Sequence, residues 1–296
     1  RDSSTSRGLG DVYKRQIMNH DKAFTHGGIF HADDVFSAAL LRMMNPDIFI
    51  ERGNQVPDGY GGLVFDIGGG AFDHHQEARR VRENGIPFAA FGLLWEKYGE
   101  NFLESEEDRT DFDEKFVQKL DESDNTGEPN MIAECVAEFN PDWLEPDCNR
   151  DERFFEAVEF AQAILERKFK QIQAKRQAYT VVQGYLEKSR DGIMIMDRAV
   201  PWKKALKNTD IYYVIFPSIR GGYMVQAVPQ DESESGRELK KPLPEKWRGK
   251  TAEELAELTG IAGFTFCHLS GFICAVKELD EAVRVAELAM KMEENE

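Results

Sequence analysis

Four histidines and six aspartates, spread over three short stretches, are the residues of this sequence best able to do chemistry together. Asp66 ends the apolar run Leu63-Val64-Phe65, three glycines follow at 68–70, and Asp73-His74-His75-Gln76 comes next. Upstream, His26-Gly-Gly-Ile-Phe-His31-Ala-Asp33-Asp34 offers two more imidazoles and two carboxylates. Downstream, Asp121-Glu-Ser-Asp124-Asn-Thr-Gly127 adds two acids, of which Asp124 is the favoured ligand and Asp121 an alternate or supporting one. Carboxylates mixed with imidazoles suit manganese or magnesium better than a thiolate-loving ion, and the imidazoles tilt the choice to manganese. Each stretch alone has an ordinary explanation: a His-His pair can simply be packed, and Asp33 can be a helix cap. Co-occurrence changes the reading. Asp66 would be costly to bury at a strand end without a partner, and alternation in an extended segment lets His31 and Asp33 point the same way.

The elements that must bring these stretches together are legible in outline. Lys22–Thr25 reads as a strand, residues 35–44 as a helix ended by Pro46, Asp47–Glu51 as a second strand and Leu63–Phe65 as a third. Strand, helix and strand with short links predict a parallel sheet, whose sites lie at the carboxyl ends of strands. Helices are expected from Pro87 to Tyr98, Asp111 to Glu122 and Ile132 to Phe139, with a polar break over 121–127. Apolar residues at helical spacing over 151–188 predict one long linking helix. Beyond Asp191-Gly192 the pattern changes to strands at 193–196, 211–216, 223–228, 264–267 and 272–276, with helices at 202–207, 252–258 and 280–292. Residues 231–250 read as a surface loop. The fold class expected is α/β: an N-terminal parallel-sheet metal-binding catalytic domain over 18–190 and a smaller C-terminal α/β domain over 191–296, for substrate binding. Residues 1–17 read as a foreign or disordered leader, with Met18 as the native start.

The totals limit the alternatives. The 296 residues suffice for two cores, and 41% hydrophobic with 31% charged residues is an ordinary globular balance. No apolar run reaches membrane-spanning length. A net charge of −17 argues against broad, non-specific nucleic-acid binding. Cys135, Cys148, Cys267 and Cys274 form no C-x-x-C pair and read as reduced thiols of a cytoplasmic protein. The glycines at 68–70 are not a nucleotide loop, because no lysine plus Ser/Thr follows them.

Asp73-His74-His75 after a strand-ending Asp66, with an upstream His/Asp cluster, resembles the DHH phosphoesterase superfamily. More narrowly, Thr25-His26-x-Gly-x-Phe30-His31-x-Asp33, Asp66-Ile-Gly-Gly, Asp73-His-His-Gln76 and Asp124-Asn125-x-Gly127 resemble the melanocyte-proliferating-gene (Myg) family of metal-dependent hydrolases. So do Gln226-Ala-Val-Pro229, Leu243-Pro-x-x-Trp247-Arg-Gly249 and Phe266-x-His268-x-Ser270-Gly-Phe-Ile273. The first motif departs from the superfamily's His-x-x-x-Asp-x-Asp by one inserted residue, and His31 stands where the first Asp would be.

The resemblance implies phosphodiester hydrolysis by a 3′-to-5′ exonuclease acting on RNA or short single-stranded nucleic acid, with two Mn2+ (or Mg2+) ions activating a water. It implies Asp66 between both metals, His26 and His31 on one, and Asp33, His74 and Asp124 on the other. His75 is then the candidate for contacting phosphate or protonating the leaving oxygen, Asp73 orients an imidazole, and Asp34 and Asp121 support the ligands. Arg248, His268, Ser270 and Gly271 are candidates for substrate contact. Other cations, Arg79, Arg80, Arg82, Arg237, Lys240, Lys241, Lys246 and Lys250, are offered for phosphate. A small-molecule phosphohydrolase of the manganese pyrophosphatase type, or a metal-stabilised binding protein without catalysis, are the competing readings. Homodimerisation is left open.

Overall fold

Ala23, Phe24 and Thr25 are all buried, the mark of a strand covered on both faces rather than one. They form the middle of β1 (Lys22–His26), the central strand of a three-stranded sheet. The computed structural model describes residues 20–77, 79–145, 147–230 and 238–292, so the proposed leader and Arg237 lie outside the described residues. β2 (Phe49–Gly53) and β3 (Leu63–Val64) flank β1 and both run parallel to it, as the strand-helix-strand pattern predicts. α1 (Ala32–Met44) makes the crossover from β1 to β2, and Val35, Phe36 and Ala38–Leu41 are wholly buried in it. His26 pairs with Gly53 at the carboxyl end of β1, while Asp66 lies just past β3. Two potential ligands are thus set side by side by register alone.

The helices that follow differ from expectation in instructive ways. α2 (Ala90–Tyr98) begins three residues after Pro87, which instead bridges to Val81. The start is fixed from a distance: Asp33 accepts the N–H of Ala90 at 2.9 Å and of Phe91 at 2.7 Å. The helix expected over 111–122 begins earlier, as α3 (Glu106–Phe112), because the Ser105 hydroxyl accepts the Asp108 N–H. A π-turn at Asp113–Val117 joins it to α4 (Gln118–Thr126). The predicted polar break is therefore wrong. Asp121 lies in the first turn of α4, and Asp124 and Asn125 in its last, which Gly127 ends at φ 75°. Asp124 and Asn125 are polar because they face His74, and Asp121 because it meets Arg82, and that polarity imitates a loop in sequence. α5 (Met131–Ala137) is capped by the Asn130 side chain.

α6 (Arg150–Leu186) is the long helix the spacing predicts. The chain divides within it into two units, residues 1–172 and 173–296. In the first, Phe154, Val158, Ala161, Leu165 and Phe169 of α6 join the core around α1. The second holds β4 (Ile193–Ile195), β5 (Tyr213–Pro217), β6 (Tyr223–Ala227), β7 (Phe264–Cys267) and β8 (Ile273–Val276), in the order β4-β5-β6-β8-β7. Only the β4–β5 pair is parallel. α7 (Ala252–Thr259) and α8 (Leu279–Lys291) accompany this sheet, and α8 buries Ala282, Val285, Ala286 and Ala289 at helical spacing. Residues 202–207 yield only a 3-10 turn at Lys204–Leu206.

The expected surface loop over 231–250 needs correction in its described part. Leu243 is 0% exposed and Trp247 1%, both inside the core of the second unit. Lys240 donates to the Leu206 and Thr209 carbonyls and Lys241 to that of Met290, so these lysines tie the segment down. Among the described residues no helix is long and apolar enough to cross a membrane, and all four cysteines are free. Leu243→Ala should cost about 2–5 kcal/mol of unfolding free energy by denaturant titration; a surface-loop residue would change it by less than about 0.5 kcal/mol.

Candidate metal centre

Each potential ligand owes its place to a local structural reason. His26 ends β1. His31 is the N-cap of α1, with Asp33 and Asp34 in the first turn, so the extended alternation expected for residues 31–33 does not hold. Asp34 reaches back to accept the His31 N–H at 2.8 Å. Asp66 leaves β3 at φ 55°, in the left-handed region, which Asp tolerates better than most residues. Gly68 and Gly69, both at positive φ, then turn the chain, and Asp73 closes the turn by accepting the Gly69 N–H at 2.6 Å. His74 returns beside Asp66 as a result.

Two imidazoles converge on the same aspartate from opposite sides. His26 Nε2 lies 3.2 Å from Asp66 Oδ2 and 3.3 Å from Asp34 Oδ2. His74 Nε2 lies 3.1 Å from Asp66 Oδ1, 3.3 Å from Asp124 Oδ2 and 3.9 Å from Asp33 Oδ2. His75 Nδ1 sits 2.8 Å from Asp73 Oδ1 and 3.6 Å from Asp66 Oδ1. Three overlapping sets result: His26, Asp34 and Asp66; Asp33, His74 and Asp124; and Asp66, His74 and His75. Within each, the ligand atoms lie within 4.8 Å of one another.

Whether these groups fit a divalent ion can be judged from their hydrogen bonds. The His26 Nδ1 faces the Gly27 carbonyl at 3.0 Å, which only accepts, so the proton belongs there and the Nε2 lone pair faces carboxylates. The buried Asp34 Oδ2 and Asp66 Oδ1 make no hydrogen bond of proper geometry. Lone pairs facing lone pairs at such distances call for a cation between them, or for protons on the rings. Oxygen and imidazole donors fit manganese or magnesium.

The electrostatics tell the same story. Burial, then repulsion from Asp66, Asp124 and Asp121, pushes Asp33 well above the ordinary carboxylate range. Burial likewise raises Asp34 to about 7, and raises Asp124. Burial works against His26 and His74 charging, yet Asp66 with Asp34 lifts His26 to about 9, and Asp66 with Asp124 lifts His74. Asp66 is buried too, but the two imidazoles hold it low. Too many acids share too few positive charges.

The remaining expected residues fall into different places. His31 is exposed, its ring centroid 6.2 Å from that of His26; it lines the cavity but joins none of the three sets. Asp34, expected in support, contributes an atom to a set, whereas Asp121 lies outside them. Asp121 accepts the Gly92 N–H at 3.1 Å and pairs with Arg82 at 2.7 Å. A Cβ on Gly92 would come within 1.9 Å of that carboxylate, which explains the glycine. Arg82 also pairs with Asp113, and Arg80 grips Glu96 through two 2.8 Å bonds, so neither is free for phosphate as expected. Arg79 is exposed. Lys250 pairs with Glu254 at the start of α7, and Lys246 is exposed. In the second unit, Ser270 N donates to His268 Nδ1, Gly271 N donates to the His268 carbonyl, and Arg248 Nε donates to Leu243 O beside Gly271. Those four residues are together.

A cavity of about 410 Å³ opens over the cluster, lined by His26, Ile29, His31, Asp66, Ile67, Gly68, Asp73, His74, His75 and Asp124. Among the described residues no lysine or arginine lines it. Two residues near this cluster carry no mark of such a part in the sequence: Asn125, which touches His74, and Arg82, which neutralises Asp121. Asn125 stood in a motif with no role attached, and nothing in the spacing of Arg82 marks it as buried.

A model of the Uncharacterised protein family (UPF0160) matches residues 22–290. MYG1 exonuclease of Homo sapiens is 28% identical, covering 92% of this chain and 86% of that protein. A MYG1 protein of Schizosaccharomyces pombe is 29% identical, covering 94% of this chain and 100% of the other. Among solved structures, RecJ of Thermus thermophilus in complex with Mg2+ is similar at TM-score 0.31 and 12% identity, covering 97% of this chain and 52% of that one. The chain thus spans about half the length of that structure, and a likeness at this TM-score carries no weight. Matched over nearly all of its described length, the chain belongs to the MYG1 (UPF0160) family.

Proposed function

We propose that the chain is a metal-dependent phosphodiester hydrolase, a 3′-to-5′ exonuclease on RNA or short single-stranded nucleic acid. The observation that carries this reading is the convergence of His26 and His74 on the two oxygens of Asp66, beneath an open cavity. The name exonuclease, borne by several relatives, supports the reaction class. Mn2+ would be the preferred ion, with Mg2+ as substitute, and the cluster would hold two ions, with Asp66 among the residues available to them. His26, Asp34 and His31 would hold one; Asp33, His74 and Asp124 the other. Bound divalent ions supply Lewis-acid charge beside the phosphoryl oxygens and acidify a water.

The chain's own groups do the rest. Asp73 Oδ1 faces His75 Nδ1, so the proton sits on Nδ1 when the ring is neutral and Nε2 is the end that exchanges protons. That end of His75, exposed at the cavity wall, protonates the leaving oxygen or contacts the phosphate. Asp33, held by two N–H groups of α2, keeps its carboxylate facing His74. We assign Arg248, His268, Ser270 and Gly271 to substrate contact, with residues 18–190 as the catalytic domain and 191–296 as the substrate-binding one. Four free cysteines favour the cytoplasm. Pyrophosphate is the weaker candidate, since a cavity without lysine or arginine leaves a second phosphate uncompensated.

Mn2+-loaded protein should shorten a labelled RNA oligomer and release little phosphate from pyrophosphate; the reverse would favour the small-molecule reading. Mn2+ at one hundred times its Kd should stabilise the protein by about 2.7 kcal/mol in thermal unfolding. Asp66→Asn, which suits the left-handed backbone, should abolish that gain and cut hydrolysis by at least about 100-fold, beyond what losing a supporting group costs. His75→Ala should keep its metal by elemental analysis while kcat falls about 10²–10⁴-fold. Arg248→Ala should leave metal content unchanged and raise KM about tenfold or more, the loss of one charged hydrogen bond.

A further inference from the structure

Asn125, in the last turn of α4, has its side-chain amide fully engaged. Its Nδ2 donates to the Phe88 carbonyl at 3.2 Å and to the Asp121 carbonyl at 2.9 Å. Both partners can only accept, so the NH₂ end must face them and the amide orientation is settled by its neighbours. Its oxygen is thereby left facing His74 Nδ1 at 3.3 Å. An amide oxygen cannot donate. His74 must therefore carry a proton on Nδ1, and in the neutral ring its lone pair lies on Nε2, the atom that faces Asp66, Asp124 and Asp33.

His26 and His75 are treated alike, by the Gly27 carbonyl for His26 and by Asp73 for His75. Of these three rings, among the described residues, only His74 takes its Nδ1 partner from a distant part of the chain, 51 residues away. The same amide also ties α4 to the segment before α2 through Phe88. We infer that Asn125 is a positioning residue: it fixes the ring plane and tautomer of His74 and so sets the affinity of the ion held by Asp33, His74 and Asp124. This rests on the metal reading above.

Two substitutions in the full-length chain separate tautomer control from simple bracing. Asn125→Leu removes both ends of the amide. Asn125→Asp keeps an oxygen for His74 Nδ1 but, as a carboxylate, gives up donation to Phe88 and Asp121. By calorimetry, Asn125→Leu should weaken Mn2+ binding about 10–100-fold, while Asn125→Asp stays within about threefold of wild type or binds more tightly. Without metal, both should melt below wild type by similar amounts. The ¹⁵N imidazole spectrum of Mg2+-loaded wild type should show His74 protonated on Nδ1, a readout that needs no variant to fold. Protonation on Nε2 instead, equal Mn2+ affinity in Asn125→Leu and wild type, or parallel losses in both variants would each overturn the inference with the metal centre intact. A wild-type chain that takes up no Mn2+ would overturn both readings together.

Discussion

Crowded negative charge is the constraint on which the first unit is built. Asp33, Asp34 and Asp66 are all nearly inaccessible, and Asp73 and Asp124 stand close by. Taking a carboxylate out of water is expensive unless something positive meets it. Arg82 meets Asp121, outside the cluster, and Arg52 eases the charge of Asp34 without an ion pair to it; among the described residues no arginine or lysine forms an ion pair with Asp33, Asp34, Asp66 or Asp124. Imidazoles do, and their nitrogens are the part of a side chain that can serve a proton or a divalent ion equally well. The fold carries this load because the sheet places two strand ends side by side.

The supporting helices are anchored by the same acids. Asp33 lies in the first turn of α1 and caps the start of α2, and Asp121 accepts from the third residue of α2. Gly92 allows the approach. Asn125 then joins the same region to the ring of His74. A carboxylate cap is favoured by the partial positive charge at a helix start, which offsets part of the burial cost.

How much of this was legible in the sequence depended on what kind of signal each part leaves. The three parallel strands and the long helix announce themselves through apolar spacing, because burial dictates residue type there. Asp73-His74-His75 and the His26 cluster stood out because such residues rarely gather beside strand ends for packing reasons. The end of α4 resembles a loop in sequence because its polar residues face a polar site, so hydrophobic pattern carries no information about them. Leu243 and Trp247 were misread because prolines and lysines around them suggest exposure, whereas the lysine amines reach buried-segment carbonyls. The start of α2 was unreadable in principle: its cap comes from a residue 57 positions away.

That remote cap has a consequence for how any loss at position 33 should be interpreted. One carboxylate caps the start of a helix and faces an imidazole, so truncating it would loosen a turn and, on the metal reading proposed above, remove a ligand in a single stroke. Scanning with alanine would credit the whole deficit to chemistry. Apportioning it calls for pairing the Asp33 change with an independent stabiliser of the α2 terminus, such as a serine at Ala89, and asking how much of the deficit returns.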